Sequence, residues 1–501
     1  MSHVRAVSAQ TLMESGWKPG PALGAALVAA EHLSATGCHP EEILPRLEQV
    51  LQQALQPNEL ATDLSADPVL GELLAKARLQ YAQAGGPSPV LDEPVAPLQI
   101  WGQDLLEPST LQQIQDARRL DVTARTALMP DGHVGYGLPV GGVWGVRGAV
   151  SPYAVGVDIA CRMRLSLIPA ERGAEIDWRD HDVQGTAPSS SRRERFHQQL
   201  REALVSQTCF GAGQGFNPRL DHDVLDDPAW QQLPKRIQAQ KDRAHKQLGS
   251  SGGGNHFVEF GTLELHEAVE SLGLAPGRYL ALMSHSGSRG LGHAICSTYA
   301  DIAMKVHDLP KKYKRLACLS LDSEAGQEYW TAMNLAGRYA QANHQLIHQR
   351  VLEAAGLEPA AMVENHHNFA WLEEHDGEEL VVHRKGATPA GRGELGVIPG
   401  SRETPGFLVE GLGHPGSLRS ASHGAGRVMS RSRAVQSLHG PSIAKATQAS
   451  GVDVIASGLD EAPPVYKDIH AVMAAQTDLI RVLGTFRPRI VLMASDGSSE
   501  D

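Results

Sequence analysis

Residues 155–163 read VGVDIACRM. Asp158 and Cys161 stand three positions apart among small apolar residues, at the head of the run RMRLSLI (162–168). That run alternates as a short strand does. Similar runs follow: GGVWGV (141–146), HFVEFG (256–261), RYLALMSHS (278–286) and ELVVHRKG (379–386), each ending in Gly, His or polar clusters. Helical patterns fall between them at 191–206, 230–248, 296–308, 324–354 and 466–482. The alternation predicts one large α/β domain over 98–501. Residues 172–195 read as a polar loop, and the tail MASDGSSED (493–501) as frayed.

Upstream the texture differs. GPALGAALVAAEHL and EEILPRLEQVLQQALQ carry apolar residues at helical spacing, so residues 1–95 are expected to form a small helical module. The stretch QAGGPSPVLDEPVAP (83–97), rich in Pro and Gly, reads as a linker at its end. Nothing in the module suggests chemistry, which points to a structural or partner-binding role.

Bulk composition narrows the class. With 42% hydrophobic and 20% charged residues the chain has the makings of a folded core. A net charge of −12 excludes a general basic coat for nucleic acid but leaves room for a local basic cleft. The five cysteines are scattered and form no CxxC pair, so a reducing, cytoplasmic setting is expected. The opening MSHVRAVSAQ has no apolar signal core, and no run is long enough to span a membrane.

The informative histidines lie in Gly-, Ser- or Asn-rich settings: His133, His256, His285, His366, His367, His383 and His423. One carboxylate, one thiolate and several imidazoles, drawn from distant parts of the chain, suit a borderline divalent ion such as Mn²⁺, Zn²⁺ or Co²⁺. Such a site is assembled by the fold, unlike a local zinc knuckle. A thiolate beside a carboxylate can also bridge two ions.

Nucleotide chemistry has no standard signature here. GxxxxGK[ST] is absent, and so is the K-x-D-G motif of common nucleic-acid ligases. A nucleotide-accepting nucleophile would therefore have to be something else. His423 in SHGAGR is a candidate, with Arg427 placed to steady phosphoryl oxygens.

From PLQIWG (97–102) to FRPRIVLM (486–493) the sequence resembles the RtcB family of GTP-dependent RNA ligases. The motifs MPDGHVGYGLPVGGV, VGVDIACRM, GGGNHFVEFG, SHSGSRGLGH, HHNFAW, HRKGATPA, SHGAGR and DEAPPVYKD occur in the family's order. The resemblance implies an RtcB-like mixed α/β catalytic domain. It implies two Mn²⁺ ions held by Asp158, Cys161, His256, His285 and His367, with the thiolate bridging. It makes His423 the residue guanylylated by GTP, with Asp131 a carboxylate near the metals. Asn255, Glu259, Arg427 and Tyr466 become nucleotide contacts. The implied activity joins RNA 3′-phosphate or 2′,3′-cyclic phosphate ends to 5′-hydroxyl ends, in tRNA splicing or RNA repair, with help from an archease-like activator. Arg384 or Lys385, in HRKGATPAGRG, is a candidate contact to RNA or the GTP tail. The basic runs 234–246 and 305–315 are either solvated faces or phosphate tracks. One departure stands out: where the family's tail carries a guanine-contacting Lys, this chain has Met493. That motivates an alternative, a nucleotidyltransferase that caps 3′-phosphate ends without sealing them.

Overall fold

The run RMRLSLI does form a strand, flanked by the histidine-bearing strands Gly277–Ser286 and Ala361–His366. A computed structural model of the chain describes residues 7–17, 21–55, 67–83, 90–91, 96–169, 190–307 and 309–495. Two compact units result, one of Met1–Pro89 with Met304–Leu309, the other of Val90–Ala303 with Pro310–Asp501.

In the first unit, helices Ala9–Glu14, Pro21–Ala35, Pro40–Leu55 and Pro68–Gln83 share one core. Ile43, Leu47, Val50, Leu51 and Ala54 are buried at the spacing of one helix face and meet Ala26, Ala29, Leu33, Leu70, Leu73 and Leu74.

In the second unit the strands are, in chain order, β1 (Leu98–Ile100), β2 (Thr123–His133), β3 (Val140–Val146), β4 (Ala149–Val150), β5 (Arg162–Ile168), β6 (Phe257–Leu265), β7 (Gly277–Ser286), β8 (Leu319–Ser320) and β9 (Ala361–His366). Then come β10 (Asn368–His375), β11 (Glu378–Lys385), β12 (Ala387–Pro389), β13 (Leu395–Ile398), β14 (Gly406–Gly411), β15 (Ser420–Ser422), β16 (Asp453–Ala456) and β17 (Ile480–Met493). The larger sheet runs β13-β14-β17-β6-β7-β5-β9, with β16 parallel against β17. A second sheet runs β1-β2-β3-β11-β10, and β12 pairs with β15. The architecture is mixed α/β, with most neighbouring strands antiparallel.

Period-2 burial explains the larger sheet. Val258, Phe260, Leu280 and Leu282 face the helices Ser190–Gln207 and Glu324–Ala354, packing on Leu200, Leu204, Ile347 and Val351. Met163, Leu165, Leu167, Ala281 and Met283 face the other way, toward Leu408 and Phe486. Each fully buried Val, Leu, Ile, Phe or Met among them stabilises the fold by roughly 1.5–3 kcal/mol. The helix Glu324–Ala354 begins where Ser323 accepts a hydrogen bond from the Gly326 amide.

Three expectations change. Residues 230–248 form three short helices, Ala229–Gln232, Lys235–Gln238 and Lys241–Gln247. Pro234 forces Leu233 into an extended conformation (ψ 155°) and ends the first. Residues 466–482 hold only the helix Ile469–Ala474, and β17 begins at Ile480. Pairing of Ile480, Arg481 and Val482 with β14 outweighs helical periodicity there. Of the loop expected at 172–195, residues 190–195 belong to a helix and the others lie outside the described residues, as does the tail from 496. Within the expected linker, Val90 bridges to Leu120, while 84–89 and 92–95 lie outside the described residues. No helix among the described residues is long and apolar enough to cross a membrane.

Candidate active site

Antiparallel pairing gathers the histidines at one edge of the larger sheet. Met163 and Phe257 both sit opposite His285, and Arg162 sits opposite His366. The starts of β5 and β6 therefore lie beside the ends of β7 and β9. Asp158 and Cys161 occupy the turn before β5, His256 precedes β6, His285 closes β7, and His367 follows β9. In that turn Ala160 takes a left-handed conformation (φ 57°), held by its amide donating to Asn368 O at 2.7 Å. Gly287 is required beside it, since a Cβ there would lie 2.1 Å from Asp158 Oδ1.

The five side chains form one continuous buried cluster. Asp158 Oδ2 lies 3.1 Å from His256 Nε2, and His256 Nε2 lies 3.5 Å from Cys161 Sγ. Cys161 Sγ is 3.1 Å from His285 Nε2, which is 3.2 Å from His367 Nε2. Cys161, His256 and His285 alone already have the mutual spacing of a metal site. Burial drives His285 down to about 3 and His367 well below its ordinary pKa, so both rings are neutral donors. The His285 Nδ1–H donates to Asn255 O at 3.2 Å, which leaves the Nε2 lone pair facing the thiol. A carboxylate, a thiol and three imidazoles converging in this way fit a borderline divalent cation.

Across the cleft, the second sheet and the β12–β15 pair supply a different constellation. His423 directly follows β15, and its ring centre lies 4.8 Å from that of His367, the two planes tilted by 47°. Its Nδ1–H donates to Asp131 Oδ2 at 2.7 Å. Asp131, from β2, is fully buried. Burial alone would raise its pKa, but the hydrogen bond and charge of His423, with Lys467 and His133, hold it below the ordinary value. Gly426 (φ 75°) permits the close approach, because a Cβ there would lie 2.0 Å from Asp131 O.

Both constellations open into one cavity of about 620 Å³, whose wall also includes Asn255, Glu259, Lys385, Arg427, Tyr466 and Met493. Glu259 is 4% exposed, and burial pushes its carboxyl well above the ordinary range. In the sheet it lies between Val491 and Met283, with Met493 opposite Phe257 one row away. Arg427 lies 5.5 Å over the Tyr466 ring and donates to Asp460 O, with Glu461 3.4 Å away.

Arg384 does not reach the cavity. It is 1% exposed, ion-paired to Glu373, stacked on Trp371 and bonded to Ser420 Oγ. Lys385 lies at the wall, with Nζ donating to the carbonyls of Tyr136 and Tyr153. His383 is structural: Ser151 N donates to its Nε2, and its Nδ1 meets Trp144 O. His366 packs against Phe369 and Trp371.

Sequence reading overlooked Glu461 and Lys467. Glu461, 1% exposed, binds Arg427, Arg431 and the Tyr466 hydroxyl. Lys467 donates to Pro130 O and Gly132 O on either side of Asp131. Their signal was available, since charged residues in the Pro-rich DEAPPVYKD stretch (460–468) flank an expected site residue.

The chain matches the family model described as tRNA-splicing ligase RtcB over residues 113–494. It is 32% identical over 429 residues to RNA-splicing ligase RtcB of Escherichia coli strain K12, covering 78% of this chain and 96% of that protein. It is 32% identical over 456 residues to tRNA-splicing ligase RtcB of Thermococcus kodakarensis, covering 78% and 94%. Against RNA-splicing ligase RtcB of Mycobacterium tuberculosis H37Rv it is 31% identical over 427 residues, covering 75% and 99%. With the family model spanning most of its length and both sheets contributing to one cavity, the chain belongs to the RtcB family.

Proposed function

We propose that this protein is an RNA ligase that joins 3′-phosphate or 2′,3′-cyclic phosphate ends to 5′-hydroxyl ends through a guanylyl-histidine at His423. The observation that carries the reading is the seating of His423 between the buried Asp131 carboxylate and the Asp158–Cys161–His256–His285–His367 cluster.

Each group has a role in this reading. The Asp131 hydrogen bond fixes the proton on Nδ1, so Nε2 carries the lone pair that attacks the α-phosphorus of GTP. The Nε2–P bond forms, the bond from that phosphorus to the bridging oxygen breaks, and pyrophosphate leaves. Asp131 stabilises the cationic ring that results. An oxygen of the RNA 3′-phosphate then attacks the same phosphorus, breaking the N–P bond. The 5′-hydroxyl oxygen finally attacks the RNA phosphate and GMP departs. A cyclic phosphate end is first hydrolysed to the 3′-phosphate.

Cys161 Sγ lies between one pair, Asp158 and His256, and another, His285 and His367, so these five side chains would hold the Mn²⁺ ions, with Cys161 within reach of both pairs. When bound, they supply Lewis-acid charge against the phosphate oxygens. Asn255, Glu259, Arg427 and Tyr466 hold the nucleotide, and Lys385 is the remaining candidate for a phosphate contact. Residues 98–501 act as the catalytic domain and residues 1–95 as an accessory module, in the cytoplasm, with an archease-like activator as partner.

Met493 in the cavity wall favours a second reading, end capping without sealing. Incubation with α-labelled GTP and Mn²⁺, followed by RNA bearing 3′-phosphate and 5′-hydroxyl ends, tests both. Covalent guanylate and sealed RNA are expected. Capped RNA that accumulates unsealed supports the second reading, and absence of any adduct refutes both.

A further inference from the structure

We infer that the RNA strand reaches the cavity across a lip built from Tyr136 and the basic segment 310–316, with a base stacked on Tyr136 and phosphates along Lys311, Lys314 and Arg315. This rests on the ligase reading above. Val134 and Tyr136, in the connection between β2 and β3, are 51% and 50% exposed and line the same cavity as His423. Half-exposed apolar and aromatic side chains at the mouth of a reactive cavity invite a partner with flat faces.

The lip is preorganised. Gln113 grips Gly135 from both sides, its Nε2 donating to the carbonyl at 2.7 Å and its Oε1 accepting from the amide at 3.0 Å. Lys385 donates to Tyr136 O from beneath. Gly137 packs so closely on the basic segment that a Cβ would fall 2.5 Å from Arg315 O. The Arg315 guanidinium lies 4.7 Å from the Tyr136 ring centroid, with the Tyr153 ring at 6.4 Å.

Charge points the same way. Lys312 is engaged by Asp116 at 2.7 Å, while Lys311, Lys314 and Arg315 have no ion pair among the described residues and are exposed. One cation stacked on an aromatic ring, with two more exposed on the same short segment, forms a local exception in a chain of net charge −12 and matches a single-stranded polyanion carrying bases.

The test uses the full-length chain, a labelled single-stranded RNA with a 3′-phosphate, and two readouts. These are binding across a salt series and adduct yield with nucleotide alone. For K311E/K314E and for R315E, binding is expected to weaken about tenfold, with a salt slope shallower by about one to two. Tyr136→Ala should weaken binding about tenfold, and Tyr136→Phe should restore it because the stacking face is kept. Adduct yield is expected within about twofold of wild type, since nucleotide charging precedes RNA entry. Unchanged RNA affinity and slope in all these variants, with adduct formation intact, would overturn the lip while sparing the ligase reading. A wild-type protein that neither forms an adduct nor binds the RNA refutes that reading and this inference with it.

Discussion

Asp131 fixes His423 through a single carboxylate oxygen: Oδ2 accepts from the His423 ring Nδ1 at 2.7 Å, from the His423 amide at 3.1 Å and from the Gly424 amide at 3.3 Å. Ring and backbone are thus held together, and the proposed nucleophile has one tautomer and one orientation. Asp131→Asn should preserve the fold and slow adduct formation by about 10²–10⁴-fold, as loss of a tautomer-fixing carboxylate does elsewhere. His423→Ala should abolish the adduct outright. Rapid-quench measurement of labelled nucleotide transfer distinguishes the two, and full activity in either variant would contradict the geometry.

Cys161 touches both His256 and His285, so its removal affects both halves of the donor set. Cys161→Ala should lower total bound metal, measured by elemental analysis after dialysis, to well under one ion per chain. Asp158→Ala should spare the His285–His367 half in part. Equal, full occupancy in Cys161→Ala would rule out a shared thiolate.

Glu259 has apolar neighbours, Val491 and Met283, on adjoining strands, with Met493 across from Phe257. Met493→Lys would place a cation near the buried carboxyl, ionise it and add a hydrogen-bond donor for a purine carbonyl. The variant is expected to lower KM for GTP by about tenfold with a much smaller change for ATP, a gain on the order of one charge-assisted hydrogen bond. Steady-state adduct formation with each nucleotide reads this directly, and no change in the GTP-to-ATP ratio would argue against a base lying beside Met493.

Burial depresses His133 and His383 to about 4, so both rings stay neutral in the folded chain while the unfolded chain protonates them near 6.5. Their contribution is fully present above about pH 6.5 and is lost as pH falls toward 4. Each group should cost about 2 kcal/mol at pH 5 relative to pH 7. Chemical denaturation of the metal-free protein at those two values checks the sign. His383→Asn should flatten the pH dependence, because an amide can still accept from Ser151 N.

Much of this was legible in the chain itself, for identifiable reasons. RMRLSLI and RYLALMSHS alternate because each strand buries one row on helices and the other on the opposite core, and both formed as expected. Asp158, Cys161, His256, His285 and His367 stand where strands begin or end, and antiparallel register converts those positions into one cluster. What stayed hidden was set by tertiary partners. Residues 475–482 look helical alone, yet Gln476 Oε1 accepts from Ser422 N and Ile480 enters a sheet pair. Arg384 sits in a motif that suggests phosphate contacts, but its partner Glu373 lies on the adjacent strand, eleven residues away, and takes the guanidinium inward. Glu461 draws meaning only from Arg427, Arg431 and Tyr466 closing over it.

His367 is the lone residue between β9, in the larger sheet, and β10, in the smaller. A cation gripping its imidazole would also clasp the joint where the backbone passes from one leaf to the other. Chelators should then act as mechanical agents as well as chemical poisons, loosening the hinge that keeps the leaf carrying His423 aligned with the leaf carrying Asp158 and Cys161.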